Sequence, residues 1–193
     1  MSSTYARTYF QTMDKALASL QVSDVTGKPV DSEAGFELWC DWTRELAAAG
    51  TTMYFVGNGA SAMMSSHMAV DGSKNAGFRA QALNDVAFLT AIGNDLGYDQ
   101  AFSFPLKRFG RAGDLLVTIS SSGNSPNVIK AIETARELGM KVVTLSGMKP
   151  GNRSRALGDL NLYIPANTYG VVECAHQVLL HCWLDKYMGI VEG

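Results

Sequence analysis

Cysteine and histidine are scarce, with three of each among 193 residues. Cys40, Cys174 and Cys182 are odd in number and fall inside predicted helices. That excludes a disulfide framework and reads as reduced, buried thiols of a cytoplasmic protein. Charge is also sparse. Charged residues make up 18% and the formal net charge is −2, which gives no electrostatic case for nucleic acid or a membrane surface. No apolar run reaches transmembrane length, and Met1-Ser2-Ser3-Thr4 lacks the basic-then-apolar layout of a signal peptide. Internal repeats, low-complexity tracts and a second domain are absent from the pattern. Apolar residues, in contrast, reach 47%, enough for one domain whose sheet is covered on both faces.

Residues 4 to 21 place Tyr5, Tyr9, Phe10, Met13, Leu17 and Leu20 at helical spacing. Gln21 to Pro29 reads as a polar loop, and a second helix follows from Ser32. From Thr51 strands and helices alternate. Strands are expected at Met53–Val56, Arg79–Leu83, Asp114–Ser120, Lys141–Leu145 and Leu160–Ile164. Helices are expected from Ser61 to about Asp71, from Tyr98 to Phe109 with a possible kink at Pro105, from Ser125 to Gly139, and from Val171 to Met188. Such alternation implies a parallel sheet with right-handed crossovers and helices on both faces. Ligands then bind beyond the carboxyl ends of the strands.

Two turns occupy that edge. Gly57-Asn58-Gly59-Ala60-Ser61 has glycines that permit close approach of a ligand, although a lone GxG reads equally as an ordinary turn. Ser120-Ser121-Ser122-Gly123-Asn124-Ser125-Pro126-Asn127 brings four hydroxyls to a helix start, with Ser125 as N-cap and Pro126 at the first helical position. Free N–H groups and the helix dipole favour an anion there. No Walker-type lysine follows, so a sugar phosphate suits the loop better than a nucleotide. Taken alone, the loop reads as well as a polar turn.

All three histidines lie on two helices beside acids. His67 and Asp71 are one turn apart. The last helix carries Glu173, His176, Gln177 and His181, with Glu173 and His181 offset by roughly 80° on a shared side. Two helices each offering His plus carboxylate suit a divalent transition metal, Zn²⁺ first; solvated acid–His faces are the plainer reading. The same groups suit aldose–ketose isomerisation, which needs a base beside the carbonyl carbon and an acid or metal at the enediolate oxygen.

These motifs, with His67-Met68-Ala69-Val70-Asp71 and Gly93-Asn94-Asp95, resemble the sugar isomerase (SIS) domain. They are most similar to the phosphoheptose isomerase family, from about residue 51 to the C-terminus. The resemblance implies a three-layer αβα fold with a five-stranded parallel sheet of flavodoxin-like order behind two N-terminal helices. One domain would span 1–193, with 1–50 used in oligomer packing and 51–193 as the α/β body. It further implies a homotetramer with active sites at subunit contacts and conversion of sedoheptulose 7-phosphate to D-glycero-D-manno-heptose 7-phosphate in heptose biosynthesis. Ser120, Ser121, Ser122 and Ser125 match the phosphate loop. Asn58, Ser61 and Asp95 match sugar contacts. His67 matches a zinc ligand, and His181 matches the catalytic histidine, also a zinc ligand.

Three positions depart from the family pattern. Asp71 stands where a catalytic glutamate is usual, shortening the reach by about 1.5 Å. Glu173 stands where a glutamine binds zinc and substrate, and Gly170 replaces a substrate-contacting aspartate. The reading is a metal-assisted isomerase of a ketose phosphate, with Asp71 or Glu173 as base, His181 as acid, and His67, Asp71, Glu173 and His181 as metal ligands. Gly170 and its neighbours leave room for a related sugar phosphate. The alternative is a non-catalytic SIS protein that binds a sugar phosphate as a signal or docks on a replication initiator.

Overall fold

A computed structural model describes residues 4–191; the expectation drawn from Met1-Ser2-Ser3 lies outside them. In chain order the elements are α1 (Tyr5–Ala18), β1 (Gln21–Asp24), β2 (Pro29–Val30), α2 (Ser32–Ala49), β3 (Thr52–Gly57), α3 (Ala60–Lys74) and β4 (Arg79–Ala82). Then come α4 (Val86–Asp95), α5 (Ser103–Phe109), β5 (Leu115–Ser120), α6 (Pro126–Glu137), β6 (Lys141–Gly147), β7 (Leu160–Ile164) and α7 (Tyr169–Met188).

The sheet order is β2-β1-β7-β6-β5-β3-β4. Its five parallel strands run β4-β3-β5-β6-β7, the flavodoxin-like order that the resemblance implies. One part of the expectation fails, because the sheet is mixed and has seven strands. The stretch from Gln21 to Pro29, expected as a loop, is a hairpin whose β1 pairs antiparallel with β7, Val22 opposite Leu162. Its turn is held by Asp24, whose Oδ1 accepts the N–H groups of Thr26 and Lys28 at 2.8 and 3.0 Å. Gly27 supplies the left-handed residue at φ 80°. Aspartate commonly organises a turn this way. Proline at position 29 fits an edge strand, where its missing donor faces solvent.

Two apolar layers enclose the sheet. One side packs α1, α2, α3 and α7 around Trp39 and Trp183, both fully buried. Their rings stack at 4.3 Å and 8°, and the Trp183 indole N–H donates to Thr43 Oγ1 at 3.3 Å, so the polar end of the ring is satisfied. The other side packs α5 and α6 with Leu106, Val128, Ile132 and Ala135. Two helical expectations change. The run from Val86, for which the sequence pattern predicts no element, is a helix that Asp85 caps, accepting from Ala87 and Phe88 N–H at 3.0 and 3.1 Å. The single helix expected over Tyr98–Phe109 is a 3₁₀ turn, Tyr98–Gln100, followed by α5. Pro105 falls in the first turn of α5, where its missing N–H is an orphan anyway. Among the cysteines only Cys40 is buried; Cys174 and Cys182 are exposed, which corrects the expectation of three buried thiols. Burial pushes the Cys40 thiol up to about 11.

Candidate active site

β3 and β5 are neighbours, with Gly57 opposite Ile119. Their turns therefore leave the carboxyl edge of the sheet side by side. Gly57 is required here, because a β-carbon would stand 2.6 Å from Ser61 Cβ and 2.8 Å from the Ile119 carbonyl. Asn58 and Asn127 join the two turns by reciprocal amide hydrogen bonds, each 2.9 Å. The Tyr98 hydroxyl donates to the same Asn58 oxygen at 3.1 Å. Asn58 thus braces the two turns against each other, and Ser61 is buried in the first turn of α3.

Two of the serine loop's hydroxyls are committed to main-chain hydrogen bonds. Ser120 Oγ accepts the Gly123 N–H at 3.2 Å, and Ser122 Oγ accepts the Asn124 N–H at 3.3 Å. Ser125 holds the N-cap position of α6 but makes no side-chain cap bond. Ser121 Oγ is buried without a partner. Leaving a buried hydroxyl unpaired costs roughly 1–3 kcal/mol. Gly123, at φ 61°, is fixed by a second constraint, since a β-carbon would overlap the Asn152 side chain. Asn152 in turn donates from Nδ2 to the Gly147 and Lys149 carbonyls, and the next residues tie this loop to the serine loop, Arg153 N–H donating to Asn124 Oδ1 at 3.0 Å and Ser154 N–H to the Gly123 carbonyl at 2.9 Å.

The acid–histidine chemistry gathers where α3 meets α7. His67 Nε2 lies 3.2 Å from Asp71 Oδ2. The His67 and His181 rings are 5.4 Å apart at 66°. One ligating atom from each of His67, Asp71 and His181 falls within 4.8 Å of the other two. Two imidazoles and a carboxylate are a donor set that suits a divalent transition metal with coordination positions left open.

Glu173 stands outside that group. It precedes His181 by eight residues on α7, about 12 Å along the helix axis, and its carboxylate is not in the group of ligating atoms that His67, Asp71 and His181 form among the described residues. His176, the third histidine, faces the core and takes no part in the site. It is fully buried, and neither ring nitrogen has a hydrogen-bond partner. Burial pulls it down to about 4, with the nearby Ser146 main chain offsetting this slightly. Asp95 ends α4 as an exposed carboxylate that accepts from Asn94 Nδ2 at 2.7 Å.

Sequence reasoning missed three residues. Asn127 sits directly after Pro126, and its place beside the loop was a usable signal. Asn152 and Tyr9 gave none, because their roles depend on long-range packing. Tyr9 comes from α1, and its hydroxyl lies 2.8 Å from where a β-carbon on Gly170 would be.

Residues 34–147, more than half the chain, match the SIS domain. The chain is 43% identical over 122 residues to a phosphoheptose isomerase of Enterobacter sp. (strain 638), covering 61% of this chain and 63% of that protein. It therefore matches a little under two thirds of the length of such curated relatives. Among solved structures, it superimposes on phosphoheptose isomerase GmhA from Neisseria gonorrhoeae with a TM-score of 0.82 at 31% identity, covering 94% of this chain and 97% of that one. A phosphoheptose isomerase from Francisella tularensis gives 0.84 at 25% identity, covering 98% and 99%. The β3 turn, the His67–Asp71 pair and the serine loop all fall inside the matched stretch, and by these features the chain belongs to the SIS domain family.

Proposed function

We propose that the chain is an isomerase of the phosphoheptose isomerase type, converting sedoheptulose 7-phosphate, or a closely related ketose phosphate, to the aldose. The convergence of His67, Asp71 and His181 at the helix crossing carries this reading. The serine loop would hold the phosphate, with Ser121 Oγ and the first turn of α6 donating to its oxygens. Asp71 would take a proton from C1 of the ketose while His181 protonates the C2 oxygen, giving the enediol. Returning the proton to C2 with loss of the O1 proton completes the aldose. Asn58, Ser61 and Asp95 would face the sugar hydroxyls. Zn²⁺, held by His67, Asp71 and His181, would polarise the carbonyl and stabilise the enediolate oxygen.

Glu173 is the alternative base, supplied by a second copy in a homotetramer with sites at subunit contacts. The face of α3 that carries His67 also exposes Met63 and Val70, at 71% and 57% accessibility, and Val178 on α7 is 45% exposed. Such apolar surface around polar catalytic groups fits burial by another subunit. No helix among the described residues is long and apolar enough to cross a membrane, and a sugar phosphate substrate fits the cytoplasm.

Metal analysis together with an isomerisation assay across pentose, hexose and heptose phosphates tests the proposal. Turnover of a heptose phosphate with one zinc per site is expected. Tight sugar-phosphate binding without turnover of any of them, zinc supplied, would make the chain a binding module instead.

A further inference from the structure

A cavity of about 930 Å³ opens at the amino edge of the sheet, at the other end of the strands from the serine loop. Its walls come from the start of β3, from β4, from the end of α5 and from the loop leading into β5. Thr52 to Gly57 spans about 16 Å along β3, so the two ends are well separated. Nothing in the isomerase chemistry uses this cavity.

Arg79, Arg108 and Arg111 line it. All three are exposed, and among the described residues none forms an ion pair. The carboxylate in the wall is Asp114, only 4% exposed. Its Oδ1 accepts the Thr52 N–H and its Oδ2 the Arg111 N–H, each at 2.8 Å. Its oxygens are engaged by the main chain, and one carboxylate against three guanidinium groups leaves the cavity an excess of positive charge. Two guanidinium groups are already oriented. Arg79 Nε donates to Thr52 Oγ1 at 3.4 Å, and Arg108 lies over the Phe104 ring at 5.3 Å. Tyr54 donates its hydroxyl to the Phe109 carbonyl at 3.2 Å, joining β3 to the end of α5.

We propose that this cavity is a second ligand site, taking a small polyanion with two or more phosphate groups. A guanidinium presents a planar fork that matches phosphate oxygens, and three forks on separate elements exceed what one phosphate can engage. The volume is that of a small-molecule site, larger than a single phosphate needs. Phe109, 43% exposed at the rim, offers a flat apolar face to an organic group attached to the phosphates.

Calorimetric titration of the full chain with inorganic phosphate, inorganic pyrophosphate and ADP tests this. Pyrophosphate is expected to bind at least about tenfold more tightly than phosphate, because it engages more than one fork. Arg79→Ala, Arg108→Ala and Arg111→Ala together should weaken it at least about tenfold, and the corresponding triple lysine variant by less, since charge remains but the forks do not. The pyrophosphate-binding component that the triple alanine variant removes should persist in Ser121→Ala, which acts only on the serine loop. ADP binding more tightly than pyrophosphate would identify an organic diphosphate; equal affinity would identify the diphosphate alone. Loss of that component in Ser121→Ala, its full retention in the triple alanine variant, or no binding at millimolar pyrophosphate overturns the proposal. Each readout is independent of isomerase turnover.

Discussion

The hydroxyl of Tyr9 fills the space that a side chain on Gly170 would need, 2.8 Å from the position of its missing β-carbon. A phenol from the first helix thus reaches the start of α7, one turn before Glu173. Gly170 has no left-handed backbone requirement, so only this contact opposes a larger residue. In an exposed helical position Gly→Ala gains roughly 0.5–1 kcal/mol. Gly170→Ala alone should gain little, because Tyr9 must move. Combined with Tyr9→Phe it should recover that gain, and denaturant melts of the four proteins in the cycle measure the difference.

Asp71 shares the triad with both histidines, and Glu173 does not. Asp71→Asn is expected to lower kcat by about 10²–10⁴-fold, the usual range for a general base, while sugar-phosphate affinity stays nearly constant. Asp71→Glu should retain turnover, since it lengthens the reach without removing the carboxylate. A coupled assay with parallel binding titrations separates the two effects.

Ser121 predicts an unusual pairing of losses and gains. Its hydroxyl is buried and unpartnered without ligand, so Ser121→Ala should leave the unliganded protein as stable or slightly more so. The same change removes a donor to the phosphate, and should weaken sugar-phosphate binding by about 1.5–3 kcal/mol. Thermal melts with and without the sugar phosphate should therefore move in opposite directions.

His176 sets part of the acid limb of stability. Its folded pKa, about 4, lies below the ordinary value of 6.5 because burial penalises the charged ring. The unfolded chain then binds more protons at mildly acid pH. The contribution is complete above 6.5 and is lost progressively as pH falls towards 4. His176→Leu should flatten the loss of stability across that window, read as denaturant midpoints at several pH values.

Much of the sheet was legible in the sequence because buried parallel strands are written as apolar runs between turn residues, as in Leu115–Ile119. The β1–β2 hairpin was not. Only Val22 and Val30 mark it, and its pairing with β7 joins residues far apart in the chain. Helix α4 depended on recognising Asp85 as a cap. At the site, His67, Asp71 and His181 were legible from helical spacing and motif together. Glu173 could not be sorted from them by spacing, because its angular offset puts it on the side of α7 that carries His181 while the axial rise sets it about two turns away. His176 shows the same limit, since spacing alone does not say which histidine turns inwards.

The hairpin beside β7 leaves the sheet with two unequal edges: β2, two residues long and begun by Pro29, offers little to pair with. Backbone groups of β4 at the other edge are the longer stretch where a foreign strand could add. That strand is four residues long and begins with an exposed arginine, the short, charged form that discourages edge-to-edge association. Removing Arg79 would therefore change more than ligand affinity: it would take away a guard against misassembly between folded molecules.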